Sequence, residues 1–141
     1  MILVVDASVA VKWYVQNEAN EPHADLAVRI LIRVGAGDDL LVQPPHFVAE
    51  VAGVLARMKP NQAAADVAEL QNLPMRVVDS DLVYATAIEL ATTLQHHLFD
   101  TLYHAVALQT PGCKLVTADK AYYRKAKALG QIQLLDDLEF V

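Results

Sequence analysis

Ile2-Leu3-Val4-Val5-Asp6-Ala7-Ser8 places four consecutive apolar residues in front of a carboxylate. A continuous apolar run of that length suits a strand buried on both faces, the kind found in parallel sheets. Leu40-Leu41-Val42, Arg76-Val77-Val78, Lys114-Leu115-Val116-Thr117 and Ile132 to Leu135 read as further short strands. Helical patterns lie between them. Ser8 to Val15 is one, and Pro22 to Val34 is another, ended by Gly35 and Gly37. Pro44-Pro45 opens a helix to Met58, and Asn61 to Leu70 forms the next, stopped before Pro74. Asp79-Ser80 caps a helix carrying Leu82, Val83, Ala87, Leu90 and Leu94. Phe99 to Gln109 ends at Pro111-Gly112, and a basic helix runs from Asp119 to Gly130. Strands alternating with helices need crossover connections, so the pattern predicts an α/β fold with a mainly parallel sheet covered on both faces.

The 141 residues suffice for one domain, 1–141, and are too few for two ordinary ones. Hydrophobic residues at 55% against 20% charged exclude intrinsic disorder. Cys113 is the one cysteine and has no intrachain partner, which points to a reducing, cytoplasmic setting. The most apolar stretch, Met1 to Val15, is broken by Asp6 and Lys12, short of the ~20 residues of a membrane span. It also lacks the basic start and small-residue cleavage site of a secretory signal. The net charge of −6 argues mildly against a nucleic-acid partner. Its distribution softens that objection, because Lys114, Lys120, Arg124, Lys125 and Lys127 fall within fourteen positions.

Ligands in open α/β sheets sit beyond the carboxyl ends of the strands. Asp6 directly follows the first strand and Asp119 the fourth, so parallel strands bring both to one edge. Each also reads as the N-cap of the helix after it. Glu50 lies beside Val54 at the margin of the stripe formed by Phe47, Val51, Val54, Leu55 and Met58. A solvated edge, or a pair with Arg57, would explain it as well. Asp100 falls away from the apolar face of Phe99, Leu102, Tyr103 and Val106, with His104 one turn on. It reads equally as a first-turn acid favoured by the helix dipole, or as half of an Asp–His contact. Two carboxylates 4 Å apart repel by about 4 kcal/mol at an effective dielectric near 20. Four converging acids would therefore protonate, spread, or hold a cation. Oxygen donors suit Mg²⁺ or Mn²⁺, ions able to activate water against a phosphodiester.

Four segments, taken in order, resemble the PIN-domain ribonucleases, and most closely the VapC-type toxins of toxin–antitoxin pairs. They are Val4-Val5-Asp6-Ala7-Ser8, Pro45-His46-Phe47-Val48-Ala49-Glu50-Val51, Phe99-Asp100-Thr101-Leu102-Tyr103-His104-Ala105 and Leu115-Val116-Thr117-Ala118-Asp119. The resemblance implies a three-layer α/β/α sandwich around a parallel sheet. It also implies that Asp6, Glu50, Asp100 and Asp119 form a catalytic metal site, supported by Ser8 and Thr117. The activity implied is Mg²⁺- or Mn²⁺-dependent endonucleolytic cleavage of RNA, in a homodimer blocked by a cognate antitoxin.

Lys120, Arg124 and Lys127 recur at helical spacing and read either as a phosphate-backbone contact or as a solvated face. His96 and His97 read as a surface pair between helices, with no third ligand at useful spacing. Packing is the expectation for Trp13, Tyr14, Tyr122 and Tyr123. Two other functions fit the same elements. One is a PIN-like module that binds protein or RNA without cutting. The other is a phosphoryl-accepting receiver domain, for which Val77-Val78-Asp79 would supply the acceptor.

Overall fold

The computed structural model describes residues 1–15 and 21–141. The strands are β1 (Ile2–Val5), β2 (Leu40–Gln43), β3 (Arg76–Val77), β4 (Cys113–Thr117) and β5 (Ile132–Leu134). The helices are α1 (Ala7–Ala10), α2 (Lys12–Val15), α3 (Ala24–Gly35), α4 (Phe47–Met58), α5 (Ala63–Asn72), α6 (Asp81–Leu94), α7 (Leu98–Leu108) and α8 (Lys120–Ala126). Short 3₁₀ turns cover Lys127–Leu129 and Leu135–Asp137. The strands form one sheet in the order β3-β2-β1-β4-β5, and every pairing is parallel. From β1 the chain steps outward through β2 to β3, then crosses back beyond β1 to β4 and β5. Right-handed crossovers then put α1 to α5 on one face and α6 to α8 on the other. The result is an α/β/α sandwich whose order reverses between β1 and β4.

Burial follows the patterning. Leu3, Val4, Val5, Leu41, Val42, Leu115 and Val116 are fully or almost fully enclosed, as strands covered on both faces require. Phe47, Val51 and Leu55 turn one stripe of α4 inward. Every residue of α7 from Thr101 to Ala107 is buried, because this helix lies against β1, β2 and β4 and is covered by α6. A helix apolar all round belongs in an interior. Among the described residues, no helix is long and apolar enough to cross a membrane.

The segment Ser8 to Val15 is two turns parted at Val11, not one helix. Tertiary bonds from successive side chains outweigh helical continuity there. The Lys12 ammonium donates to Glu21 Oε1 and to the Pro22 carbonyl, both at 2.8 Å, and the Trp13 indole N–H donates to Ala27 O at 2.7 Å. Phe99, Met58 and Leu40, assigned above to apolar faces or strand interiors, are about half exposed. Each sits at the end of its element, where the covering layer stops.

One buried side chain shapes the carboxyl edge of the sheet. The β1–β2 ladder ends at Leu3↔Leu41, while β2 continues beside β3 as far as Gln43↔Val77. Asp6 N–H turns towards Val116 O on β4, so the peptide groups of Val5 face β2. Gln43, fully buried, serves both of them. Its Oε1 accepts from Val5 N–H at 3.0 Å and its Nε2 donates to Val5 O at 2.8 Å. The amide thus closes the split between β1 and β2 one residue before Asp6.

Candidate functional site

Where a parallel sheet reverses its order, the following helices leave towards opposite faces and a crevice opens at the carboxyl ends. Asp6 and Asp119 stand at that point. Asp6 does not cap its helix with its side chain. It accepts instead from two hydroxyls, those of Ser8 and Thr117. Each hydroxyl oxygen is itself held by a backbone donor, Ser8 Oγ by Ala118 N–H at 3.1 Å and Thr117 Oγ1 by Asp119 N–H at 3.0 Å. With both hydroxyl oxygens so held, each turns its one proton to the carboxylate. Burial pushes Asp6 up to about 6, the hydroxyls oppose that, and the fields of Asp100 and Asp119 add to it. The two supporting residues expected from the sequence are thus both in contact with Asp6.

Asp119 does cap α8, accepting Tyr122 N–H on Oδ1 at 3.0 Å. Its second oxygen accepts no hydrogen bond among the described residues. Ligand atoms of His96, Asp100 and Asp119 lie within 4.8 Å of one another. His96 Nε2 stands 3.0 Å from Asp100 Oδ2. Lys125 Nζ, a donor only, lies 3.2 Å from His96 Nδ1 and also donates to Gln95 O at 3.1 Å. Nδ1 therefore accepts, and Nε2 carries the proton given to Asp100. Burial raises Asp100, His96 opposes this, and the charges of Glu50 and Asp119 reinforce it.

His104 is not the partner of Asp100. It is fully buried, donates through Nε2 to Gly130 O at 2.9 Å and accepts the Tyr122 hydroxyl on Nδ1 at 2.9 Å. The interior side of α7 leaves His104 no path to the first turn, and His96 fills the role from the opposite direction. The spacing of His96 four residues before Asp100 was legible. Its reach was not, because Gln95 adopts a left-handed backbone that turns the chain before α7 begins.

Glu50 joins from α4. Tyr103 O–H donates to Glu50 Oε1 at 2.5 Å, and His46 Nε2 lies 3.4 Å from the same oxygen. Burial works to raise Glu50, but the bonds from His46 and Tyr103, with the fields of His46 and His97, outweigh it and hold the carboxyl below its ordinary range. Tyr103 is driven far above its ordinary value, first by burial and then by Glu50, Asp6 and Asp100, so it remains a donor. Arg57 has no part in this. Tyr103 was missed from the sequence, since its apolar-face position gives no sign that its hydroxyl meets a residue 53 positions away.

Asp100 and Asp119 are thus gathered with His96, while Asp6 after β1 and Glu50 on α4 lie outside that group and near enough for their charges and those of the gathered acids to act on one another. Lys120, Arg124 and Lys127 are exposed, and Lys127 lies in the 3₁₀ turn beyond α8. Lys120 borders a cavity of about 120 Å³ with Lys12, His23 and Asp136. Lys125 comes to the acids only through His96, whose Nδ1 it meets at 3.2 Å. Asp79 follows β3 at the sheet edge, with β2 between it and β1, which removes the acidic grouping a receiver domain needs. Trp13 and Tyr122 are buried, as packing predicts.

Three solved structures share this architecture. VapBC-1 from nontypeable Haemophilus influenzae aligns at TM-score 0.65 and 17% identity, over 97% of this chain and 100% of that one. VapC20 of Mycobacterium tuberculosis, a sarcin–ricin loop cleaving toxin, aligns at 0.64 and 18% identity over 92% of this chain and 95% of that one. VapBC2 from Rickettsia felis, bound to a DNA fragment from its promoter, aligns at 0.63 and 19% identity over 95% and 97%. No curated protein sequence matches. The PIN domain, in contrast, matches from residue 3 to residue 128. Because that match takes in all four acids and all but one of the strands, this chain belongs to the PIN-domain family.

Proposed function

We propose that this protein is a divalent-metal-dependent endoribonuclease of the VapC toxin type. The observation that supports the reading is the gathering of Asp100, Asp119 and His96 ligand atoms within 4.8 Å, with Asp6 and Glu50 close enough to be coupled to them electrostatically, in a PIN domain. No arginine or lysine pairs directly with any of the four among the described residues. Carboxylates gathered without cations fit a site built for one. Their oxygens suit Mg²⁺ or Mn²⁺, and the imidazole of His96 beside Asp100 is compatible with Mn²⁺. When bound, such an ion supplies positive charge for the phosphate and activates water for in-line attack.

The chain's own groups do the positioning. Asp6, Glu50, Asp100 and Asp119 would hold the ion. Ser8 and Thr117 fix both oxygens of Asp6, Tyr103 fixes Glu50, and His96 fixes one oxygen of Asp100. Substrate phosphates bring further negative charge, which the exposed Lys120, Arg124, Lys125 and Lys127 can offset along α8. Likeness to the VapBC structures and to a toxin that cleaves an RNA loop supports RNA as substrate and an antitoxin as partner. A homodimer in the cytoplasm completes the reading.

The test is cleavage of a panel of structured RNAs with Mg²⁺ or Mn²⁺, by wild type and Asp100→Asn purified in parallel. Metal-dependent cuts that vanish in Asp100→Asn, with the circular dichroism spectrum unchanged, are expected. Equal cutting by the two proteins would refute the assignment.

A further inference from the structure

Phe99 immediately precedes Asp100 and is 48% exposed. Single exposed apolar residues are ordinary. This one is held as few are. His46 Nε2 donates to Phe99 O at 2.7 Å, and Phe99 N–H donates to His97 Nδ1 at 3.2 Å. The same two imidazoles stand 5.2 and 5.1 Å from the phenyl ring, tilted by 32° and 59°. His97 thereby caps the first turn of α7. His46 packs against Tyr103, ring centres 4.7 Å apart and tilted by 50°, and lies next to Glu50. Its Nδ1 is buried with no hydrogen-bond partner among the described residues, a standing penalty in an interior. The contacts that hold the imidazole there run to Phe99 and Glu50. An aromatic ring is therefore fixed, half bare, at the lip of the acid cluster.

On the reading of the protein as a ribonuclease, we infer that Phe99, flanked by His46 and His97, is a stacking platform for an unpaired nucleobase beside the scissile phosphate. A single ribose separates a phosphate from its base, so a nucleotide engaged at Asp100 and Glu50 presents its base to whatever borders them. The border here is a π-face with two imidazoles, a surface that accepts any base and needs it unstacked. Paired segments keep their bases inside the helix. A base can therefore reach Phe99 only where the strand is unpaired at that position.

The experiment measures affinity for a labelled, unpaired decaribonucleotide and for copies with one abasic ribose at each position. The Asp6→Asn background with Mn²⁺ prevents cleavage. Phe99→Ala in that background is expected to bind roughly 5- to 150-fold more weakly, the range for loss of one stacked base. Phe99→Trp is expected to keep the affinity. Its added indole is quenched by the RNA, while Trp13, the chain's one native tryptophan, stays buried. One abasic position weakens binding to the Phe99 protein and has no further effect on Phe99→Ala. Equal affinity of the two proteins, or abasic losses that add fully to Phe99→Ala, would overturn the platform. Wild-type cleavage run alongside separates the failures. If wild type cuts and Phe99→Ala cuts with unchanged KM, the platform alone is lost. If wild type neither binds nor cuts RNA, the ribonuclease reading falls and takes the platform with it.

Discussion

Replacing Asp6 by Asn should make the metal-free protein more stable while removing its activity. An unfolded aspartate releases its proton near 3.8, whereas Asp6 in the folded chain keeps its proton to about 6. The folded state binds more protons across that interval. Its stability is therefore highest below 3.8, falls as the pH rises through about 6, and is level above. Two pKa units correspond to about 3 kcal/mol, an upper bound for a carboxyl that water still reaches. Asn carries no charge but turns an NH₂ towards one of the two hydroxyls, which costs about 1 kcal/mol of mismatched bonding. The net gain is about 1–2 kcal/mol, or roughly 3–8 °C in Tm for a chain of this size. Thermal unfolding in EDTA at pH 8 measures it, and the difference should shrink towards pH 4. Saturating Mn²⁺ should reverse the order, since an ion at 100 times its Kd adds about 2.7 kcal/mol to a protein that binds it. An Asp6→Asn protein less stable than wild type in EDTA at pH 8 would refute the idea that unrelieved negative charge is stored there.

Gln43→Leu leaves both peptide groups of Val5 unpaired in the interior, so a loss of about 2–4 kcal/mol is expected by urea unfolding, with Mn²⁺ affinity lowered because Asp6 is the next residue. His96→Leu should weaken Mn²⁺ binding by roughly 10- to 100-fold in calorimetry, and His96→Gln should recover most of it by restoring a donor to Asp100. Burial holds His104 below its ordinary pKa, so the unfolded chain binds the extra proton and stability is lost as pH falls below about 6.5, by up to about 1.4 kcal/mol per pH unit. His104→Gln should flatten that slope in urea titrations between pH 5 and 7.

The frame of the molecule was legible because strands and helices leave periodic traces. Ile2–Val5 and Lys114–Thr117 needed only their apolar runs, and the acids after them needed only the rule that parallel strands end at a common edge. What could not be read was everything set by contact across the chain. Tyr103 meets Glu50 over 53 positions and Thr117 meets Asp6 over 111. Thr117 was reached by resemblance and Tyr103 not at all. His96 shows the opposite failure. It was visible, but one left-handed residue at Gln95 decides whether a histidine before a helix faces solvent or the helix's own first turn. The break at Val11 has the same origin, since Lys12 and Trp13 answer to partners beyond the local pattern.

Two carboxylates in this protein receive opposite treatment, and the contrast bears on purpose. Asp39 precedes β2 at the amino edge of the sheet, its side chain fully enclosed. Arg33 reaches it with bonds of 2.7 and 3.0 Å, and that pairing, against the penalty of burial, holds it below its ordinary pKa. Asp6, at the opposite edge, has hydroxyls for neighbours and other acids beyond them, and it is raised. A fold that can place a guanidinium beside a buried acid at one edge places none, among the described residues, at the other. Neutral donors orient a carboxylate without cancelling its charge. Ser8 and Thr117 therefore do for Asp6 what an arginine could not, which is to fix its direction and leave its charge unspent. Lys125 stops at His96, so that an imidazole rather than an ammonium makes the last contact with Asp100. A carboxylate oriented in this way keeps its charge available to a ligand of the opposite sign.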